Sequence, residues 1–132
     1  LKLNPKHVYA RIQRGLTRYK KGHHDEAIAD FTRVIEFDPN IAHVWNSRGD
    51  ARMAKGDLDG AIADYTCAIE IHPKFVSALF NRGIAQNKKG NLAETIFDFE
   101  LVLKFKPNHS RASAIRKAIK KMHAQLEKQK EK

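Results

Sequence analysis

Gly15, Gly49 and Gly83 stand 34 residues apart, and so do Gly22, Gly56 and Gly90, Asp30, Asp64 and Asp98, and Pro39, Pro73 and Pro107. A fixed period of this length, kept in step with no insertion, describes one small supersecondary unit stacked several times. Such a unit cannot bury its apolar face alone, so each copy is covered by its neighbours and function is expected on a shared surface, not in a catalytic pocket. Three copies and a remainder account for nearly all of the 132 residues, which predicts a single domain over 1–132. The repeats fall at 8–41, 42–75 and 76–109, followed by a capping helix over 110–128 and a frayed basic tail over 129–132.

The second copy shows the local grammar. Its first helix is expected over about 41–55, capped by Asn40, with Val44, Trp45 and Ala51 on the packed side. Gly56 ends it, because glycine enters the left-handed backbone of a helix C-terminus without a steric penalty. Asp57 then caps the second helix, with His23 and Asn91 as its counterparts in the other copies. Along that second helix Ala61, Ile62, Tyr65, Ala68 and Ile69 form one stripe, repeated by Ala27, Ile28, Phe31, Val34 and Ile35 and by Thr95, Ile96, Phe99, Val102 and Leu103. Pro39, Pro73 and Pro107 stop each second helix, since proline lacks the amide proton and restricts the residue before it. The inner glycines Gly15, Gly49 and Gly83 sit inside first helices, where glycine costs about 1 kcal/mol against alanine. Close approach of the paired helix is the expected compensation.

The spacing of Trp45, Gly49, Gly56, Ala61, Tyr65, Ala68 and Pro73 resembles the tetratricopeptide repeat over roughly residues 8–107. The resemblance implies an all-α, right-handed superhelical array of antiparallel helix hairpins, seven helices in all, whose first helices line a concave groove. It also implies a protein-interaction scaffold or adaptor that holds an extended or helical peptide there. Two departures recur in every copy: Arg14, Arg48 and Arg82 stand where the family usually has leucine, and Asp30, Asp64 and Asp98 where it usually has an aromatic residue. Matched cations and anions suggest an ion-pair ladder between helices. Arg116 continues the arginine register where no new aspartate follows, which predicts that each arginine pairs with the aspartate of the preceding repeat, as Arg116 with Asp98. The alternative is an arginine stripe that reads phosphate or carboxylate on a partner.

The formal net charge of +10 is unevenly spread: +3 over residues 1–40, −1 over 41–74, +2 over 75–108 and +6 over 109–132. Near balance within the repeats argues against a surface that tracks phosphates along the whole array. In the last segment Ala112, Ile115, Ala118, Ile119, Met122 and Leu126 recur at helical spacing, which predicts one amphipathic helix covering the last hairpin. Arg116, Lys117, Lys120 and Lys121 line its opposite face, and Lys128, Lys130 and Lys132 prolong the charge. This face supplies the alternative function, nucleic-acid or anionic-surface binding.

If the family geometry holds, the partner-binding groove is lined by Tyr9, Ile12, Leu16 and Tyr19 in the first copy, His43, Asn46, Asp50 and Met53 in the second, and Ser77, Phe80, Ile84 and Asn87 in the third. Apolar side chains at both ends suit an amphipathic helix or an extended apolar peptide, and Asn46, Asp50 and Asn87 would give polar register. Family members that hold the C-terminal carboxylates of heat-shock chaperones use lysine, arginine and asparagine on the groove. The matching places here carry Ile12, Leu16, Ser47, Ser77 and Asn81, so that mode is not expected.

Catalysis finds no support. The seven histidines form no HExxH, Cys67 is the single cysteine, and the glycines punctuate helices instead of cradling a phosphate. The reading is therefore no enzyme, no cofactor and no metal. One cysteine fits a reducing compartment, the cytoplasm or the nucleus. No apolar run is long enough to span a bilayer. A start at Leu1 without methionine suggests a piece of a larger protein.

Overall fold

A computed structural model describes residues 4–131, and every regular element among them is an α-helix. The helices are α1 (Pro5–Lys20), α2 (His24–Phe37), α3 (Ala42–Ala54), α4 (Leu58–Ile71), α5 (Val76–Lys88), α6 (Leu92–Phe105) and α7 (Ala112–Lys130). They group into two compact units that divide between Pro73 and Lys74. In the first unit α1 packs on α2, α2 on α3 and α3 on α4; in the second α5 packs on α6 and α6 on α7.

The periodic residues set the helix ends. Gly22, Gly56 and Gly90 take φ of 83°, 85° and 82°, where an L side chain would be strained, and each first helix stops just before its glycine. Each second helix ends two residues before its proline. Asp57 caps α4 through a bond that its side chain accepts from the Gly60 amide at 3.0 Å. His23 and Asn91 occupy the same place before α2 and α6 without making a cap bond, and the Asn91 amide donates instead to Gln86 Oε1 at 2.7 Å. Asn40 is not the cap of α3, since Ile41 holds that position. The Asn40 backbone N–H donates to Asp38 at 3.0 Å, and Trp45 Nε1 donates to the Pro39 carbonyl at 2.8 Å, so an aspartate turn and an indole tie down this loop.

In the first unit Ile12, Ala27, Phe31, Val34, Ile35, Val44 and Ala51 form a continuous core, with Leu16, Tyr19 and Trp45 half-buried against it. Ala61, Tyr65 and Ala68 are fully buried on α4. In the second unit Leu79, Ile96, Phe99 and Val102 are buried, and Ala112, Ile115 and Met122 bring the apolar side of α7 inward. The expected frayed tail is shorter than its composition suggested. α7 continues through Lys130, in a stretch without glycine or proline, with a Lys130 to Glu127 contact of 3.5 Å one turn apart; Lys132 lies outside the described residues.

The inner glycines mark the closest approach within each hairpin. A Cβ on Gly15 would lie 2.7 Å from the Phe31 ring, on Gly49 2.7 Å from Tyr65, and on Gly83 2.6 Å from Phe99. Each ring thus occupies the space that any side chain at the glycine would need. Gly49→Ala is expected to cost about 1–3 kcal/mol in overpacking, offset by roughly 1 kcal/mol of improved helix propensity. The net loss of stability, about 0–2 kcal/mol, would appear as a urea midpoint at or below that of the parent chain; a raised midpoint would contradict the role given to this contact.

Candidate functional site

Asp30, Asp64 and Asp98 are almost wholly buried, and each is met by the arginine of its own repeat. Arg14 Nη2 approaches Asp30 Oδ1 at 2.6 Å, Arg48 approaches Asp64 at 2.8 Å, and Arg82 approaches Asp98 at 2.6 Å, while the neighbouring Nε completes a two-pronged grip. This corrects the expected pairing with the preceding repeat. The physical reason is adjacency: Arg14 precedes Gly15 and Asp30 precedes Phe31, so the crossing that seats Phe31 on Gly15 also brings the charges together. Arg116 has no such crossing and donates to the Pro107 carbonyl at 3.3 Å. Arg18 and Arg52, one turn further along, add second contacts to Asp30 and Asp64 at 3.0 and 3.1 Å. Sequence reasoning missed this pair, although residues 18 and 52 share the 34-residue spacing and lie at i+4 from Arg14 and Arg48. Arg48 also donates to Thr32 at 3.1 Å and lies over the Trp45 ring, which links the two repeats of the first unit.

The first-helix residues expected to meet a partner separate by register. Tyr9, His43, Ser77 and Asn87 are exposed, Tyr9 to 67%. Leu16, Tyr19, Asp50, Met53, Phe80 and Ile84 are half-buried. Ile12 is only 6% exposed, within the core around Phe31, and Asn46 only 9%. Both are corrected from surface to interior, because their register faces packed helix instead of solvent. Phe80 also turns towards its own hairpin, stacked on Phe99 at 5.8 Å and tilted against His109 at 5.3 Å. The aromatic at 80 therefore serves packing in the second unit.

Asp50 has a specific role inside the first unit, where it accepts a bond from the Tyr65 hydroxyl at 2.6 Å. Burial, reinforced by the Asp50 carboxylate, pushes the Tyr65 phenol far above its ordinary value; Tyr19 is raised for the same two reasons. Burial also raises the Cys67 thiol, which keeps it protonated and poorly nucleophilic near neutrality. Arg116, Lys117, Lys120 and Lys121 are all exposed on α7. Among the described residues no cluster of three or more His, Cys, Asp or Glu is placed to hold a metal, and no helix is long and apolar enough to cross a membrane.

Helix hairpins of 34-residue period, closed by a glycine-to-ring contact, define an all-α repeat protein. The tetratricopeptide-repeat profile matches residues 8–41, and a TPR-repeat profile matches residues 49–90. The chain belongs to the tetratricopeptide-repeat family. No curated protein sequence matches it. Its fold is similar to that of the Yersinia enterocolitica type III secretion chaperone SycD in complex with a peptide of the translocator YopD, with a TM-score of 0.88, 17% identity, and 96% of this chain and 99% of that one covered. The first TPR of Spaghetti (RPAP3), bound to the HSP90 peptide SRMEEVD, gives 0.84 and 24% over 94% and 96% of the two chains. The second TPR domain of human RPAP3, in complex with the HSP70 peptide SGPTIEEVD, gives 0.78 and 28% over 88% and 98%.

The Tyr65 to Asp50 bond has a measurable pH signature. Because the folded phenol titrates above the unfolded one, its contribution is complete below about pH 10. It is lost as pH rises beyond that point towards the folded value, since the unfolded chain alone releases its proton there. Tyr65→Phe should therefore flatten part of the alkaline decline in stability, measured as denaturant midpoint against pH from neutral to strongly alkaline. Parallel declines for the two proteins would contradict this account.

Proposed function

We propose that the chain is a protein-interaction module that takes a peptide or helix of a partner protein on its first-helix faces, as family members do in their grooves. The observation that carries this reading is Tyr9, a large aromatic residue left 67% exposed on the same stripe of α1 as the half-buried Leu16 and Tyr19. A large apolar side chain held out on a rigid helix has the character of an interface anchor. In the first unit Leu16, Tyr19 and Met53 supply further apolar surface, His43 a polar edge, and Asp50 a carboxylate fixed in place by Tyr65. In the second unit Ile84 supplies apolar surface while Ser77 and Asn87 supply hydrogen-bonding groups. Three relatives of this fold hold peptides of other proteins, which supports a peptide ligand. The carboxylate clamp of the chaperone-binding members is not part of the proposal: Ile12 is in the core, and Leu16, Ser47, Ser77 and Asn81 lack its cationic groups. A reducing compartment, the cytoplasm or the nucleus, suits the single free cysteine.

Serine at Phe80 would remove a ring that the second unit packs on, so Tyr9 is the fair test position. Tyr9→Ser should leave the helical circular-dichroism signal unchanged and weaken partner binding by about 2 kcal/mol, the scale of an aromatic hot spot, or roughly thirtyfold. Affinity capture with intact and substituted chain, read by mass spectrometry and followed by titration of the captured partner, checks this. Equal binding by the two chains would sink the assignment.

A second reading rests on α7, whose Arg116, Lys117, Lys120 and Lys121 are exposed and make no ion pair with a carboxylate among the described residues. Such a face suits a polyanion, chiefly by charge, because α7 carries no Phe, Tyr or Trp for base stacking. Binding to a nucleic-acid duplex would fall steeply with salt and disappear when Lys117, Lys120 and Lys121 are changed to glutamine. Gel-shift titrations at two salt concentrations distinguish this from the peptide-binding reading.

A further inference from the structure

The ion-pair register is not equivalent in the first repeat. Asp30 receives three guanidinium groups: Arg14 at 2.6 Å, Arg18 at 3.0 Å and Arg11 at 3.7 Å. Arg11 is the addition, for Trp45 and the fully buried Leu79 occupy its register in the other copies. Three cations against one carboxylate leave a net charge of +2 fixed within a few ångströms. The arginines are also open to solvent. The Arg14 side chain is 51% exposed and Arg11 35%, against 11% for Arg48 and 16% for Arg82.

The difference has a geometric cause. Arg48 uses Nη1 to reach Thr32 of the preceding repeat, and its guanidinium lies over Trp45. Arg14 spends Nε and Nη2 on Asp30, and its Nη1 donates to no group among the described residues. In front of it lies a depression of about 240 Å³ lined by His7, Ala10, Arg11 and Arg14. A solubilising end face would spread its charges. Here they converge, which crowds like charges unless a second anion joins them.

We propose that this face of α1 is a docking site for an acidic segment of a partner protein, with one side-chain carboxylate entering the depression. Arg14 Nη1 and the Arg11 guanidinium donate to that carboxylate, and His7 stands at the rim. Charge complementarity selects the occupant: the planar forks match a carboxylate, and the shallow wall contributed by Ala10 has room for the short stem that carries it. The site lies apart from the stripe of Tyr9, Leu16 and Tyr19 and does not rest on the peptide-binding reading given to that stripe.

Poly-glutamate as a short peptide, with poly-glutamine as neutral control, probes the site on the full chain at low salt. Side-chain Nε–H signals of Arg11 and Arg14 should shift with poly-glutamate and stay still with poly-glutamine. Arg11→Gln leaves Asp30 gripped by Arg14 and Arg18, so the thermal midpoint should be nearly retained while affinity falls on the order of tenfold, the loss of one charge-assisted contact. Replacing Lys117, Lys120 and Lys121 with glutamine should leave the affinity read from the Arg11 and Arg14 signals unchanged. Loss of binding in that α7 variant with full retention in Arg11→Gln would overturn the proposal. So would arginine signals that respond to inorganic phosphate but not to poly-glutamate, since the site would then take a free ion and not a protein segment.

Discussion

Everything else in this chain depends on the contact between a glycine in each first helix and an aromatic ring in the second. Phe31, Tyr65 and Phe99 reach positions within 3 Å of where a Cβ on Gly15, Gly49 and Gly83 would stand. Two helices can come this close only if one has no side chain at the crossing, and a ring that fills the space makes the distance definite. The contact sets the spacing of each hairpin. It also dictates which neighbours meet, because the residues preceding glycine and ring are brought together with them. The arginine and aspartate registers are therefore consequences of a packing contact, placed where the crossing makes a two-pronged grip geometrically available.

That dependence explains which parts of the structure were legible in the sequence. Helix ends were, because Gly56 or Pro73 acts through its own backbone, and a local cause leaves a local sign. The stripe through Ala61, Tyr65 and Ala68 was legible too, since burial of one helix face needs only helical periodicity. The arginine pairing was not. Asp30 is 16 residues from Arg14 and 18 from Arg48, and a 34-residue period alone cannot choose between them. The choice is made by the crossing of α1 and α2, a tertiary fact, although the adjacency of Arg14 to Gly15 and of Asp30 to Phe31 held the clue.

The first-helix surface was less legible for a related reason. Helical periodicity assigned Tyr9, Ile12, Leu16 and Tyr19 to one stripe, but a stripe is wide enough to be exposed at one edge and packed at the other. Ile12 lies in the core while Tyr9, less than one turn away, stands in solvent. Phe80, aromatic and off the buried side, has the pattern of a surface anchor, yet Phe99 and His109 give it two ring neighbours in its own unit. Neither ring contact follows from spacing, since each depends on how a neighbouring element is laid against α5. Repetition helped least where the copies differ: the register of Ile12 holds an isoleucine, an asparagine and a phenylalanine, and their surroundings differ accordingly.

Buried Asp30, Asp64 and Asp98 add a constraint of a different kind. An ion pair taken out of water gains little net stability, because desolvation offsets most of the attraction, whereas a buried carboxylate without its partner is costly by about 3–5 kcal/mol. The asymmetry matters in an array of similar hairpins, where the competing folds are hairpins built from the wrong pair of helices or shifted by a turn. A shifted Phe31 would still find apolar surface, so hydrophobic burial discriminates weakly among these alternatives. A shifted Asp30 would lose both prongs of Arg14 and the contact from Arg18 at once. The apolar stripe thus drives association, and the charged register rejects misaligned versions of it. In the first repeat the same device carries one arginine more than the carboxylate needs, so a grip made for alignment also leaves cationic groups facing outward.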